Sequence, residues 1–320
     1  MTYTAIIPTR NRPVLLQRAL RSVFRQTFPA TQILIVDDGS DDPITLPAEL
    51  QDARVTIVRH ERPQGGPTSR NLGLALATEP FVAFLDDDDE WLSGKMALQM
   101  AYLQAQPDCV LVTGGYTRVQ GGTKYPEVVS REFLERYGHY DSYIGSFSFM
   151  VLRRLPDGDF LPMDPGLPAF QDWDYFLRLR KRGRIGMLAT PLGIYHAHED
   201  ARITTKGRNR LIGLRRCYFR HRVDFTPDAR RWVLSRMIFD RAVHARDYGS
   251  RVHCVLLSIK AGLGCQLPVR TKARALAKRA LNLAFNVAFL ERVRAVAFGI
   301  TAKLRRPRRL ASPEGVAQGA

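Results

Sequence analysis

The side chains best placed for chemistry are four adjacent carboxylates, Asp86, Asp87, Asp88 and Asp89, which follow directly on the apolar run Phe81-Val82-Ala83-Phe84-Leu85. Adjacent carboxylates repel one another, and a buried one is costly unless paired or bound to metal. Oxygen-only donors suit Mg²⁺ or Mn²⁺, which take one or two carboxylates together with substrate phosphates. A solvated acidic turn with a helix-capping Asp is the structural alternative. A second acidic pair, Asp37-Asp38, closes the apolar run Ile33 to Val36. Arg70, behind Gly65-Gly66, carries a guanidinium that could bind phosphate bidentately or form a surface ion pair. One acidic strand end has an easy structural explanation; two, together with Arg70 and Asp172, point to a ligand site.

The elements that must position these groups can be read from apolar periodicity. Tyr3 to Pro8, Ile33 to Val36, Val55 to Val58, Phe81 to Leu85 and Cys109 to Thr113 read as buried strands. Pro13 suits the first position of a helix whose apolar residues Leu15, Leu16, Ala19, Leu20, Val23 and Phe24 recur at helical spacing. Further helices are predicted from Gly65 to about Ala77, from Lys95 to Gln104 and from Phe170 to near Gly183. Between them lies a loop-rich middle, in which Ser146 to Leu152 is expected as a strand. Extended segments from Ile185 to Tyr195 deliver His196 and His198. This alternation predicts a doubly wound α/β sheet, whose carboxyl-terminal strand edge is where ligands bind.

The chain has 320 residues, 45% apolar and 25% charged, enough for one large α/β domain plus an appendage. Cys109, Cys217, Cys254 and Cys265 are scattered with no C-x-x-C pair, which argues against a disulfide framework or zinc site and fits a reducing cytosol. No run of 18 or more apolar residues predicts a spanning helix, and the early first strand leaves no room for a signal peptide. Charge divides near residue 200. Residues 1–200 carry 21 Lys and Arg against 25 Asp and Glu, and residues 201–320 carry 27 against 6. Helical spacing recurs from Leu211 to Phe219 and from Trp232 to Val243. Leu281 to Ile300 is apolar and flanked by basic residues, which suits either an interfacial helix on an anionic membrane or a bundle with a solvated basic face. No nucleic-acid motif accompanies the charge, so no nucleic-acid partner is expected. Residues 311–320 are expected to be disordered.

The ordered set Ile6-Ile7-Pro8-Thr9-Arg10-Asn11-Arg12, Val36 to Ser40, Gly66 to Gly73 and Phe84 to Trp91 resembles the family-2 glycosyltransferases of GT-A fold. Each motif is weak alone and the ordered set is specific. With Asp172 the resemblance covers about residues 3–200. It implies a catalytic domain over 1–200 with a Rossmann-like, mostly parallel sheet, then a basic helical region over 201–310. It further implies a metal-dependent, inverting transfer from a nucleoside-diphosphate sugar to a glycan or lipid-linked hydroxyl acceptor. The setting would be cell-envelope synthesis, cytoplasmic or peripheral on the inner membrane face. Pro8, Thr9, Arg10 and Asp38 would hold the nucleotide, with Asp37 orienting the loop or reaching the ribose. Arg70 would meet the nucleotide or its diphosphate. Asp88, with Asp86, would bind Mn²⁺ or Mg²⁺, while Asp87 would face sugar or ribose hydroxyls. Asp172 would be the base, unless it caps its helix; Gln171 stands where the family usually has Glu. His198 better than His196 matches the family's histidine near the diphosphate or metal. A nucleotidyltransferase would show a Gly-rich loop after the first strand, and this chain has Pro8-Thr9-Arg10-Asn11-Arg12. An inactive carbohydrate- or membrane-binding module predicts loss of the carboxylates, which are present. A dinucleotide oxidoreductase lacks its G-x-G-x-x-G here.

Overall fold

Period-two alternation along the central strands sorts their side chains onto two faces. The computed structural model describes residues 1–141, 145–197, 207–243, 248–269, 271–273 and 275–277. Strands β1 (Tyr3–Thr9), β2 (Gln32–Asp37), β3 (Val55–Arg59) and β4 (Phe81–Phe84) run parallel in the order β3-β2-β1-β4. Ile6, Leu34, Val36, Val82 and Phe84 face one apolar core, and Ala5, Ile7, Ile33, Ile35 and Ala83 face the other. Helices α1 (Pro13–Phe24) and α3 (Lys95–Ala105) cover the second core with Leu16, Leu20, Met96 and Met100. Pro13 begins α1 at its first turn, where the missing N–H costs nothing. Helix α2 (Gly66–Leu76) adds Leu74 to the first core.

The expected parallel sheet continues into a mixed half. Strand β8 (Val151–Arg153) inserts antiparallel between β4 and β6 (Cys109–Gln120), and β9 (Arg184–His196) lies parallel to β6. The two-residue β5 (Glu90–Trp91) pairs antiparallel with β9. The middle is less loop-like than its polar composition suggests. Strand β6 runs on to pair with β7 (Thr123–Glu127) through Gly121-Gly122, both at positive φ, and α4 (Arg131–Tyr137) follows. The strand expected over Ser146 to Leu152 is instead a 3-10 turn, Phe147–Phe149, before the short β8. The Ser146 hydroxyl caps that turn by accepting from Ser148 N, which turns Ser148 inward.

Helix α5 (Gln171–Leu179) packs Trp173, Tyr175 and Phe176 into the first core. Helices α6 (Gly207–His221), α7 (Pro227–Val243) and α8 (Tyr248–Leu263) follow. Leu214, Cys217, Tyr218 and Trp232 join the core that holds Trp173, so the charge seam near residue 200 is not a packing seam. No helix among the described residues is long and apolar enough to cross a membrane. The basic apolar stretch 281–300 and the tail 311–320 lie outside the described residues.

Candidate active site

Each acidic strand end is built by backbone geometry first. Beyond β2, the fully buried Asp37 accepts from Ser40 N at 2.9 Å and from the Ser40 hydroxyl at 2.5 Å. Its other oxygen meets Arg59 at 3.2 Å, so this carboxylate holds the turn. Gly39 makes that turn at φ +66°, with Arg62 and Pro63 backbone where a Cβ would lie. Asp38 N is bonded to the Thr9 carbonyl at 2.9 Å, joining the two strand ends. The Asp38 carboxylate accepts from the N–H groups of Gln64 and Gly65, both at 2.8 Å, and so fixes the approach to α2. Pro8 pairs in register with Val36, and Arg10 is exposed at the rim.

Burial divides the four aspartates after β4. The side chains of Asp86 and Asp88 are 25% and 27% exposed, whereas Asp87 is 8% and Asp89 is wholly buried. Asp86 pairs with Arg70, whose guanidinium lies 4.4 Å over the Phe147 ring. Thr9 donates to Asp87 at 2.8 Å. Arg12 Nη1 reaches one oxygen of Asp87 and one of Asp88, each at 3.1 Å. Burial pushes the Asp87 carboxyl up to about 6, against the pull of Thr9 and Arg12. Burial, and then the charges of Asp86 and Asp88, raise Asp89 well above its ordinary range. Asp89 accepts from the Ser148 hydroxyl at 2.6 Å and from His196 N at 3.3 Å. Ser148 also accepts from Asp86 N at 3.0 Å, and its carbonyl takes the Trp91 indole N–H at 2.7 Å. One inward serine thereby ties both ends of the acidic turn. His196 sits 2.8 Å from Glu90, and His198 lies outside the described residues.

Arg12 bridges Asp87 and Asp88, and Arg70 pairs with Asp86; with these arginines moved onto a phosphate ligand, the partly exposed Asp86 and Asp88 would offer the one or two carboxylates that a hard divalent cation takes. A second group has metal-ligand types: Asp174, Cys217 and His221, all buried, with donor atoms within 4.8 Å of one another. Its carboxylate, however, already accepts from Arg178 at 2.9 Å, Arg220 at 2.9 Å and His221 at 2.8 Å. Two guanidinium groups against the same carboxylate would repel a dication. This cluster bolts α5 to α6.

Asp172 lies in the first turn of α5, half-buried, and accepts from Trp173 N at 2.9 Å. The helix is capped by no side chain; Phe170 precedes it at φ 61°, a left-handed conformation costly for an aromatic residue. The Phe147 ring that carries Arg70 also touches Tyr175 of α5, with centroids 5.9 Å apart, so α5 packs beside the acidic strand edge. Arg12, Ser148 and Arg220 had no assigned role in the sequence. Arg12 stands inside the first motif, but its partners lie more than 70 residues away.

Residues 4–159 match the family model described as Glycosyl transferase family 2. The chain is 34% identical over 156 residues to the GalNAc(5)-diNAcBac-PP-undecaprenol beta-1,3-glucosyltransferase of Campylobacter jejuni, covering 47% of this chain and 48% of that protein. It is 26% identical over 242 residues to the putative colanic acid biosynthesis glycosyl transferase WcaA of Escherichia coli, covering 71% and 84%. It therefore spans about half of the first relative and most of the second. Among solved structures, S. aureus TarS with UDP-GlcNAc superposes with a TM-score of 0.56 at 18% identity, covering 82% of this chain and 81% of that one. The mannosyltransferase PcManGT of Pyrobaculum calidifontis, solved with GDP-Man and Mn²⁺, gives 0.56 at 16% identity, covering 95% and 88%. These superpositions establish the GT-A fold. With that fold and the motifs assembled on one strand edge, residues 4–159 form a family 2 glycosyltransferase domain.

Proposed function

We propose that this chain transfers a sugar from a nucleoside-diphosphate donor to a hydroxyl of a lipid-linked or polysaccharide acceptor during cell-envelope synthesis, with Mn²⁺ or Mg²⁺ and inversion at the anomeric carbon. The observation that carries the reading is the convergence of Thr9, Arg12, Asp38, Arg70 and Asp86 to Asp88 on one edge of a parallel sheet. The Campylobacter jejuni relative is named for an undecaprenol-diphosphate-linked acceptor. UDP-GlcNAc and GDP-Man occur in the two structural neighbours.

In this reading Thr9 and Asp38 border the base, because a carboxylate can accept a ring N–H. Arg70, freed from Asp86, would hold the diphosphate through its guanidinium fork. Asp88, with Asp86, would hold the cation, which would neutralise charge on the leaving diphosphate. Asp172 would take the proton from the acceptor hydroxyl as it attacks. A single base with no covalent nucleophile leads to inversion. The basic helices would bring the enzyme to the cytoplasmic face of an anionic membrane.

The test is nucleoside-diphosphate release from UDP-glucose, UDP-GlcNAc and GDP-mannose with Mn²⁺ or Mg²⁺, with and without extracted envelope lipid. One donor should be turned over, with loss on chelation, in Asp88→Asn and in Asp172→Asn. No release and no metal-dependent nucleotide binding by calorimetry would refute the reading.

A further inference from the structure

Helix α6 lies beyond the segment matched by the family model, yet it grips both sides of the segment that carries Asp172. Arg220 donates to Asp174 at 2.9 Å, two residues after Asp172, and its other terminal nitrogen bonds Asp164 in the loop before α5. His221 adds its bond to Asp174, and Arg216 donates to the Gly166 carbonyl of the same loop. The helix comes this close because residue 213 is glycine: a Cβ there would sit 2.5 Å from the Ala169 carbonyl oxygen. Phe170, next in the chain, is held in its left-handed conformation while Arg210 and Arg236 lie 5.0 and 5.4 Å over its ring. Surroundings that over-determine a residue in this way are what let backbone strain persist.

The opposite end of the loop is tied to the donor side. Asn71, adjacent to Arg70 on α2, donates to the Met163 carbonyl at 2.9 Å and accepts from Met163 N at 2.7 Å. A continuous chain of bonds therefore runs from Asn71 through Met163, Asp164 and Arg220 to Asp174. It links the helix bearing Arg70 to the helix bearing Asp172.

We propose that Arg220 is a positioning residue for glycosyl transfer: its fork across Asp164 and Asp174 sets the place of Asp172 relative to the donor. The proposal rests on the reading of Asp172 as the base. An arginine is required because one planar group must span two carboxylates, which a lysine ammonium cannot do in the same geometry. A small misplacement of a catalytic group costs rate far more than it costs binding.

The experiment compares Arg220→Gln, Arg220→Lys, Asp172→Asn and the wild type, using the donor turned over in the panel above. Both Arg220 variants should lose at least about tenfold in kcat, with the dissociation constant of the product nucleotide within about twofold of wild type. Arg220→Lys should recover melting temperature but not turnover, a split that a purely structural charge would not give. A second readout needs no substrate: hydrogen exchange of amides 164–174 should accelerate in Arg220→Gln while β1 and β4 stay protected. Wild-type turnover in Arg220→Gln beside an inactive Asp172→Asn overturns the proposal and leaves the base standing. A fully active Asp172→Asn removes the base reading and the proposal with it. Nucleotide affinity falling in step with kcat, or unchanged exchange over 164–174, also overturns it.

Discussion

Replacing Asp174 by asparagine removes the charge from a carboxylate that is 1% exposed and serves three donors. Burial would raise this carboxyl, but the bond to His221 and the charges of Arg178 and Arg220 outweigh it and hold it below its ordinary value. The amide keeps the shape but presents N–H groups toward at least one cationic donor. Removing one partner of a buried ion pair costs about 3–5 kcal/mol. The side chains of Arg178 and Arg220 are 22% and 39% exposed, so water relieves part of that cost. His221, only 2% exposed, gains no such relief. The expected loss is therefore near the lower end, about 3 kcal/mol, or a drop in Tm of about 4–5 °C for a chain of this length. The assay is a thermal melt at pH 7 followed by circular dichroism. The sign with pH follows from the depressed pKa: the wild-type contribution is present above the ordinary value of 3.8 and is lost as pH falls through the lower folded value. The gap between the two proteins should stay constant from pH 7 to pH 5 and close in stronger acid. A variant that melts within about 2 °C of wild type would refute the view that this cluster bolts α5 to α6.

Gly213→Ala should destabilise by about 1–3 kcal/mol, because the new methyl meets backbone that cannot swing aside, and a denaturant melt reads it directly. Ser148→Ala should cost about 1–3 kcal/mol by leaving buried Asp89 without its shortest donor. Metal-dependent nucleotide binding, followed by calorimetry, should weaken with it as the turn from Asp86 to Asp89 loosens. Burial, then the neighbouring Arg180, lowers His139 to about 4, although Asp224 pulls the other way and His221 adds to the lowering. The unfolded chain therefore takes this proton first as pH falls from 6.5 toward 4, and stability declines over that window. His139→Gln should flatten that part of a plot of Tm against pH.

The sequence determined the parallel half of the sheet and the two acidic strand ends at its edge. Buried parallel strands leave continuous apolar runs, and Ile33 to Val36 and Phe81 to Leu85 each lead into acid at the edge where such sheets bind ligands. These signals are local, so neighbouring residues suffice to read them. The hairpin turn at Gly121-Gly122 was equally local, but the mixed polarity of β7 hid the strand beyond it. Tertiary structure alone decided the division of labour among Asp86 to Asp89, since burial separates carboxylates that are equivalent on paper. It also decided that Arg12 bridges Asp87 and Asp88, that Ser148 organises the acidic turn, and that α6 grips the helix of Asp172. Each of these pairings joins groups 46 to 76 positions apart. A charge or hydroxyl carries no periodic trace of a partner that far along the chain, so folding has to bring the two together before either has a role.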